Sequence, residues 1–210
     1  MDSMNQKLAA GVGWMVLLRF VLRILGLIST VILARLLTPE DFGVVALAMV
    51  FIAVIEILGT FSFDMALIQN QEANRHHYNA VWTLEVIKGV TSGFLVWIFA
   101  EYISVYFGEP RLVPILHCWT LILIMDGLRN VGVVAFRKEM NFNKEFQYQL
   151  IIKIGAFIVT VFLAWQTRNY WALVLGTLAG RTIGLVASYA LHPYRPRFSL
   201  VKMNEIVSFS

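Results

Sequence analysis

Six long apolar segments follow one another along the chain, at residues 12–37, 43–68, 79–101, 112–136, 147–168 and 170–191. Each reaches the roughly 20 residues that a helix needs to cross a bilayer. Barrel strands would be about ten residues with strict alternation, so the spacing predicts helices throughout. The connections are short and polar. They include Gln69-Asn70-Gln71-Glu72-Ala73-Asn74-Arg75-His76-His77-Tyr78, Gly108-Glu109-Pro110-Arg111 and Thr167-Arg168-Asn169. After Leu191, His192-Pro193-Tyr194-Arg195-Pro196-Arg197 stops the last helix, because neither proline can continue it. Trp14, Tyr102, Tyr106, Tyr170 and Trp171 lie near span ends, where aromatic side chains straddle the headgroups. Residues 1–200 therefore predict one six-helix transmembrane unit of all-α class. Residues 201–210 look like the lead-in to a seventh helix, as in the first part of a longer protein.

The first connection is the sharpest local signal. In Ala34-Arg35-Leu36-Leu37-Thr38-Pro39-Glu40-Asp41-Phe42-Gly43, Thr38 can cap a new helix and Pro39 suits its first turn. Glu40 and Asp41 complement the dipole at the helix start, and Asp41 stands three residues after the cap.

Polar positions inside the spans change the picture from a membrane anchor to a conduit. Arg19, Arg23, Glu56, Asp64, Glu85, Lys88, Asp126, Arg129, Lys153 and Arg181 all fall within apolar runs. Arg23, Glu56, Lys88, Asp126 and Arg181 lie near mid-membrane, where each would cost about 3 kcal/mol facing lipid, or about 15 kcal/mol together. That sum rivals the stability of a whole protein. These groups must point inward, pair, or meet water. Helical spacing puts Arg19, Arg23, Gly26 and Thr30 on one stripe. It does the same for Glu85, Lys88 and Ser92, for Asp126, Arg129 and Asn130, for Gln149, Lys153 and Thr160, and for Thr177, Arg181, Gly184 and Ser188. Six helices, each with one polar face, can enclose a wet lumen. Blander readings stand beside this one. Glu85 with Lys88, and Asp126 with Arg129, are at i,i+3 spacing and can neutralise each other locally. Arg19 can snorkel to the interface. Asp64 can be merely interfacial. Arg181 has no acid near it in sequence, so its partner is another helix or a ligand.

Composition narrows the class. The chain has 210 residues, 59% hydrophobic and 14% charged, with mean hydropathy +0.71. A soluble domain is nearer 45–50% apolar and about 25% charged. The net charge of +4 comes without a basic-aromatic patch on a soluble surface, so no nucleic-acid partner is expected. If the N-terminus is cytoplasmic, Lys7, Arg75, Arg137, Lys138, Lys144, Arg195, Arg197 and Lys202 share the cytoplasmic side, against Arg35, Arg111 and Arg168 opposite. That asymmetry predicts both ends of the chain in the cytoplasm. The first run is too long for a cleaved leader and carries two arginines. Cys118 is the single cysteine and reads as a small buried apolar group. His76-His77 lacks carboxylates at ligand spacing and reads as solvated loop, with no metal and no cofactor expected. No phosphate-binding loop, nucleophile elbow or dinucleotide turn occurs, so the chain is not expected to be an enzyme.

The motif from Ala34 to Gly43, preceded by a first helix with Gly11 and Trp14 at its start, resembles the N-terminal signature of Wzx-type O-antigen and exopolysaccharide flippases. These belong to the multidrug/oligosaccharidyl-lipid/polysaccharide exporter superfamily. The resemblance implies a bacterial inner-membrane protein that moves undecaprenyl-diphosphate-linked oligosaccharide between leaflets by alternating access. It also implies two lobes of six or seven helices, a cationic central cavity, and coupling to a proton or sodium gradient. The present helices would be the N-terminal lobe, completed by a C-terminal lobe or a second copy. Arg19, Arg23, Lys88, Arg129, Lys153 and Arg181 would then hold the anionic substrate. Glu56, Asp64, Glu85 and Asp126 would balance them or carry the coupling ion. The cationic excess favours an anionic substrate. A drug or small-cation exporter of the same superfamily, a membrane-embedded sugar transferase or polymerase, and a non-transporting membrane subunit are the alternatives. The transferase would need a large loop with catalytic residues, and the longest loops here are about ten residues.

Overall fold

A computed structural model describes residues 2–58, 67–68, 74–139 and 141–199. Asp64, the 201–210 lead-in and residues 59–66 of the second expected span lie outside the described residues. Among the described residues there are seven α-helices, one short 3-10 turn and no strand. The helices are α1 (Asp2–Leu36), α2 (Pro39–Leu58), α3 (Arg75–Phe107), α4 (Leu112–Leu128), α5 (Val134–Lys138), α6 (Phe142–Thr167) and α7 (Trp171–Leu191). The 3-10 turn, Val131–Val133, joins α4 to α5.

Val16–Leu36, α3, α6 and α7 are each long and apolar enough to span a bilayer. The fourth expected span, 112–136, is not one continuous helix. α4 and the 131–138 segment meet at 63°. Arg129 leaves helical geometry at φ −56°, ψ 140°. Asn130 then starts the next turn, its side chain accepting from the Gly132 N–H at 2.9 Å. A helix yields here because Asn130 offers the backbone a local alternative to the i−4 ladder.

The bundle is built from two close antiparallel pairs. α3 packs on α4 with Gly89 against Gly127 and Gly93 against Thr120. α6 packs on α7 through Gly176, Gly180 and Gly184, which face Thr160, Ala156 and Ile152. Glycines at every fourth position let helix backbones approach where lipid supplies no hydrophobic drive. α1 lies along α6, and α4 meets α7 in the middle. Buried apolar side chains of α2, α3 and α4, with Val174 of α7, form the main core. The outer faces are greasy: Phe20 is 63% exposed, Val105 81% and Val186 63%. Apolar side chains turned outward on bilayer-length helices make this a multi-pass membrane protein.

The connections sort onto two ends. At one end, Thr38 and Asp41 form the expected capping box, Asp41 N–H to Thr38 Oγ1 at 3.3 Å and Thr38 N–H to Asp41 Oδ2 at 3.0 Å. Asp41 Oδ1 also accepts from the Tyr170 N–H at 3.0 Å, and Glu40 pairs with Arg111 at 2.6 Å. Burial alone would push the Asp41 carboxyl up. The hydrogen bonds from Thr38 and Tyr170, with the Arg111 charge, outweigh it and hold the carboxyl below its ordinary value. Gly108 closes α3 at this end in the left-handed conformation, φ +63°, which suits a residue without Cβ. At the other end, an extended segment after α7 crosses the start of α3. There Arg197 N–H donates to Asn79 Oδ1 at 3.1 Å and Ser199 N–H to Thr83 Oγ1 at 3.0 Å. His76 and His77 are not solvated loop. Asn74 caps α3 and they form its first turn, with His77 buried and its Nδ1 accepting from the Asn74 N–H at 3.3 Å.

Candidate functional site

A cavity of about 570 Å³ opens between α1, α4, α6 and α7. Its walls follow from the rows on each helix. On α7, the glycine row at 176, 180 and 184 is consumed by contact with α6, and the neighbouring Thr177 and Arg181 face the space. On α6, Gln149, Lys153 and Thr160 face it from the expected stripe. α1 contributes Gly26 and Thr30, and α4 contributes Asp126 and Arg129 beside the break. Non-helical backbone at membrane depth is tolerated where it borders such a cavity.

The lining carries three cations, Arg129, Lys153 and Arg181, against one carboxylate, Asp126. Arg181 Nη1 reaches Asp126 Oδ1 at 3.3 Å, linking α7 to α4 across 55 residues of sequence. Both partners are partly open, 47% and 37% exposed, so the pair contributes only about 1 kcal/mol to stability. Arg129 and Lys88 add their charge around Asp126. Lys153 is exposed and makes no ion pair or hydrogen bond among the described residues. The hydroxyls of Thr30, Thr160 and Thr177 each donate to the carbonyl four residues back. The site therefore presents positive charge among hydroxyls already committed to their own helices, an arrangement for gripping and releasing an anion through its cations without covalent chemistry.

The structure brings together four of the ten ionisable residues singled out from sequence: Asp126, Arg129, Lys153 and Arg181. Glu85 and Lys88 pair with each other on α3 at 2.6 Å, outside the lining. Arg19 and Arg23 are exposed on α1, on the stripe that leads from Gly26 and Thr30 away from the cavity. Glu56 is exposed on α2. Asn130 leaves the stripe of Asp126 and Arg129 because the helix breaks before it. It is fully buried and donates to the Tyr194 carbonyl at 2.7 Å. Tyr148 was not legible as a site residue. Its hydroxyl donates to the Gly184 carbonyl at 3.3 Å beside Arg129, one row over from Gln149 and Lys153. Glu145, buried on α6, supports this row, accepting from Gln149 Nε2 at 3.1 Å and pairing with Arg137 at 2.7 Å. Cys118 is half-buried against the main core. Among the described residues, no group of three or more His, Cys, Asp or Glu could hold a metal ion.

The chain is similar to known proteins along nearly its whole length. The chain is 26% identical to the succinoglycan biosynthesis transport protein ExoT of Rhizobium meliloti (strain 1021), over 99% of this chain and 43% of the relative. It is 22% identical to the lipopolysaccharide biosynthesis protein WzxC of Escherichia coli (strain K12), over 91% of this chain and 38% of the relative. It is 24% identical to an uncharacterized membrane protein in the cps region of Klebsiella pneumoniae, over 97% of this chain and 42% of the relative. The chain thus spans about two fifths of the length of these relatives. No solved structure matches it. The family model of a polysaccharide biosynthesis protein matches residues 32–210, beginning just ahead of the Ala34–Gly43 motif, and the chain belongs to that family.

Proposed function

We propose that this chain forms one lobe of an inner-membrane exporter that flips undecaprenyl-diphosphate-linked oligosaccharide from the cytoplasmic to the periplasmic leaflet. The observation that carries the reading is the cavity's excess of cations, with Lys153 unengaged and Arg181 held by one weak, displaceable pair. A diphosphate can exchange for Asp126 at Arg181 and gain charge-assisted hydrogen bonds from Arg129 and Lys153. The relatives' names, one of a succinoglycan biosynthesis transport protein and one of a lipopolysaccharide biosynthesis protein, support the substrate class. A second lobe or a second copy would close the cavity's open side and rock against this one to alternate access. The basic end, with Arg75, Arg137, Lys138, Lys144, Arg195 and Arg197, faces the cytoplasm under the positive-inside rule. Asp126 is the candidate for the coupling proton or sodium ion, since release from Arg181 frees its carboxylate. The work is binding and movement, with no bond made or broken. A small-cation exporter would instead need acidic groups to dominate the lining, and here they are outnumbered.

The test is translocation of lipid-linked oligosaccharide by the full-length protein in sealed vesicles. One charge-assisted hydrogen bond contributes about 1.5–3 kcal/mol, so Lys153→Ala and Arg181→Ala should each slow transport at limiting substrate roughly 10- to 150-fold. Arg181→Lys should recover part of the loss. Wild-type rates in both alanine variants would overturn the proposal.

A further inference from the structure

A second cavity, of about 590 Å³, lies at the basic end and shares no lining residue with the first. The extended segment after α7 forms one wall, the first turn of α3 another, and α5 the third. The chain invests buried polar groups in holding that segment. Fully buried Asn130 donates to the Tyr194 carbonyl at 2.7 Å. Buried Asn79 accepts from the Tyr194 hydroxyl and from the Arg197 N–H. Tyr194 N–H donates to His192 Nδ1 at 3.1 Å. The wall is therefore preformed.

Into this space face Arg75 from α3, Lys138 from α5 and Arg195 from the extended segment, against a single carboxylate, Glu139. Arg195 spends Nη1 on the carbonyls of His192 and Tyr194, at 2.7 and 2.9 Å. A guanidinium has five N–H donors in a fork, so its other edge can still meet an anion. Tyr78 and Tyr194 pack with ring centroids 5.6 Å apart and supply apolar surface with hydroxyl tips. Depth selects the ligand. The apolar span of α7 ends at Leu191, one residue before the cavity wall begins at His192. That is where a lipid phosphate lies and where basic pockets between helices bind acidic headgroups.

We propose that this cavity is a binding site for the phosphodiester headgroup of an anionic phospholipid. Arg75, Lys138 and Arg195 take the phosphate, and the tyrosine edge meets the glycerol. Burial pushes Tyr194 up to about 12 and His192 below its ordinary value, so both stay neutral near pH 7 and add no competing charge. The site does not rest on the transport reading. It would be occupied in a protein that moved nothing.

The experiment titrates the full-length protein in neutral detergent with mixed micelles containing phosphatidylglycerol, phosphatidylcholine, or neither lipid but inorganic phosphate. Binding is read by native mass spectrometry and by the thermal unfolding midpoint. Phosphatidylglycerol should bind at least tenfold tighter than phosphatidylcholine. Arg75→Gln, at an exposed side chain, should weaken it about fivefold, and the Arg75→Gln/Lys138→Gln/Arg195→Gln variant more than tenfold, at about 1 kcal/mol per cation. Arg35→Gln/Arg168→Gln, at the opposite end, should leave binding unchanged. Equal affinity for the two lipids, or an unchanged affinity in Arg75→Gln, overturns the proposal. Full occupancy and stabilisation by millimolar inorganic phosphate alone overturns the lipid as its occupant.

Discussion

Replacing Gly127 with alanine tests the packing that brings Asp126 to Arg181. A Cβ at Gly127 would sit 2.5 Å from the Glu85 carbonyl oxygen and 3.2 Å from the Cα atoms of Gly89 and Val86. Ordinary contact begins near 3.4 Å, so the first approach is 0.9 Å too short. The atoms in the way are backbone, and no side chain can rotate aside. α3 and α4 must separate, straining Trp82 Nε1 to Leu128 O and Thr120 Oγ1 to Gly93 O, which now stand at 3.4 and 3.2 Å. Overpacking of this kind costs about 1–3 kcal/mol, here at the upper end because nothing flexible yields. Alanine returns about 1 kcal/mol through helix propensity. The net expectation is a loss of about 1–2 kcal/mol. Gly43→Ala is the control, in α2 with nothing within 4 Å of the new Cβ. It should gain up to about 1 kcal/mol by the same propensity effect. Unfolding by SDS in mixed micelles, followed by tryptophan fluorescence, gives both numbers. Because Asp126 precedes Gly127, transport by the full-length protein should fall with stability. A Gly127→Ala protein as stable as Gly43→Ala would refute close backbone packing between these helices.

Two further outcomes follow from the ends of the bundle. Asp41→Ala removes the acceptor for Thr38 N–H, Thr38 Oγ1 and Tyr170 N–H and should cost about 1 kcal/mol in SDS unfolding. The folded Asp41 carboxyl lies below its ordinary value of 3.8. Its contribution is present above that value and is lost as pH falls through the folded one, so the wild type should weaken there and Asp41→Asn should flatten that part of the profile. Asn130→Ala strands the buried Gly132 N–H and leaves the Tyr194 carbonyl with Arg195 as its donor. It should cost about 1–3 kcal/mol for the buried group left unpaired and speed proteolysis within residues 192–199. Unchanged cleavage would show that Asn130 does not hold that segment.

Much of the cavity was legible along the chain, because helical period alone decides which side chains share a stripe. Gln149, Lys153 and Thr160 line the wall as their spacing requires, and so do Thr177 and Arg181. The capping box at Thr38 and Asp41, and the local pairing of Glu85 with Lys88, are short-range contacts within three residues, so they too could be read directly. Membrane residence follows from apolar length and composition, without knowledge of any neighbour.

Which stripes face one another is a different matter. That depends on which helices touch, and small residues set those contacts: Gly176, Gly180 and Gly184 seat α7 on α6, while Gly89 and Gly127 seat α3 on α4. Only that arrangement chooses Asp126 as the partner of Arg181, leaves Lys153 unengaged among the described residues, and leaves Arg19, Arg23 and Glu56 exposed outside the lining. The break at Arg129 has a local part, the turn Asn130 caps, and a tertiary part, since that same Asn130 is held from the far side by Ser188 and Tyr194. Local sequence determines the faces of each helix; the close approach of helices whose contacting residues lie 16 to 42 positions apart in the chain decides which faces make a site.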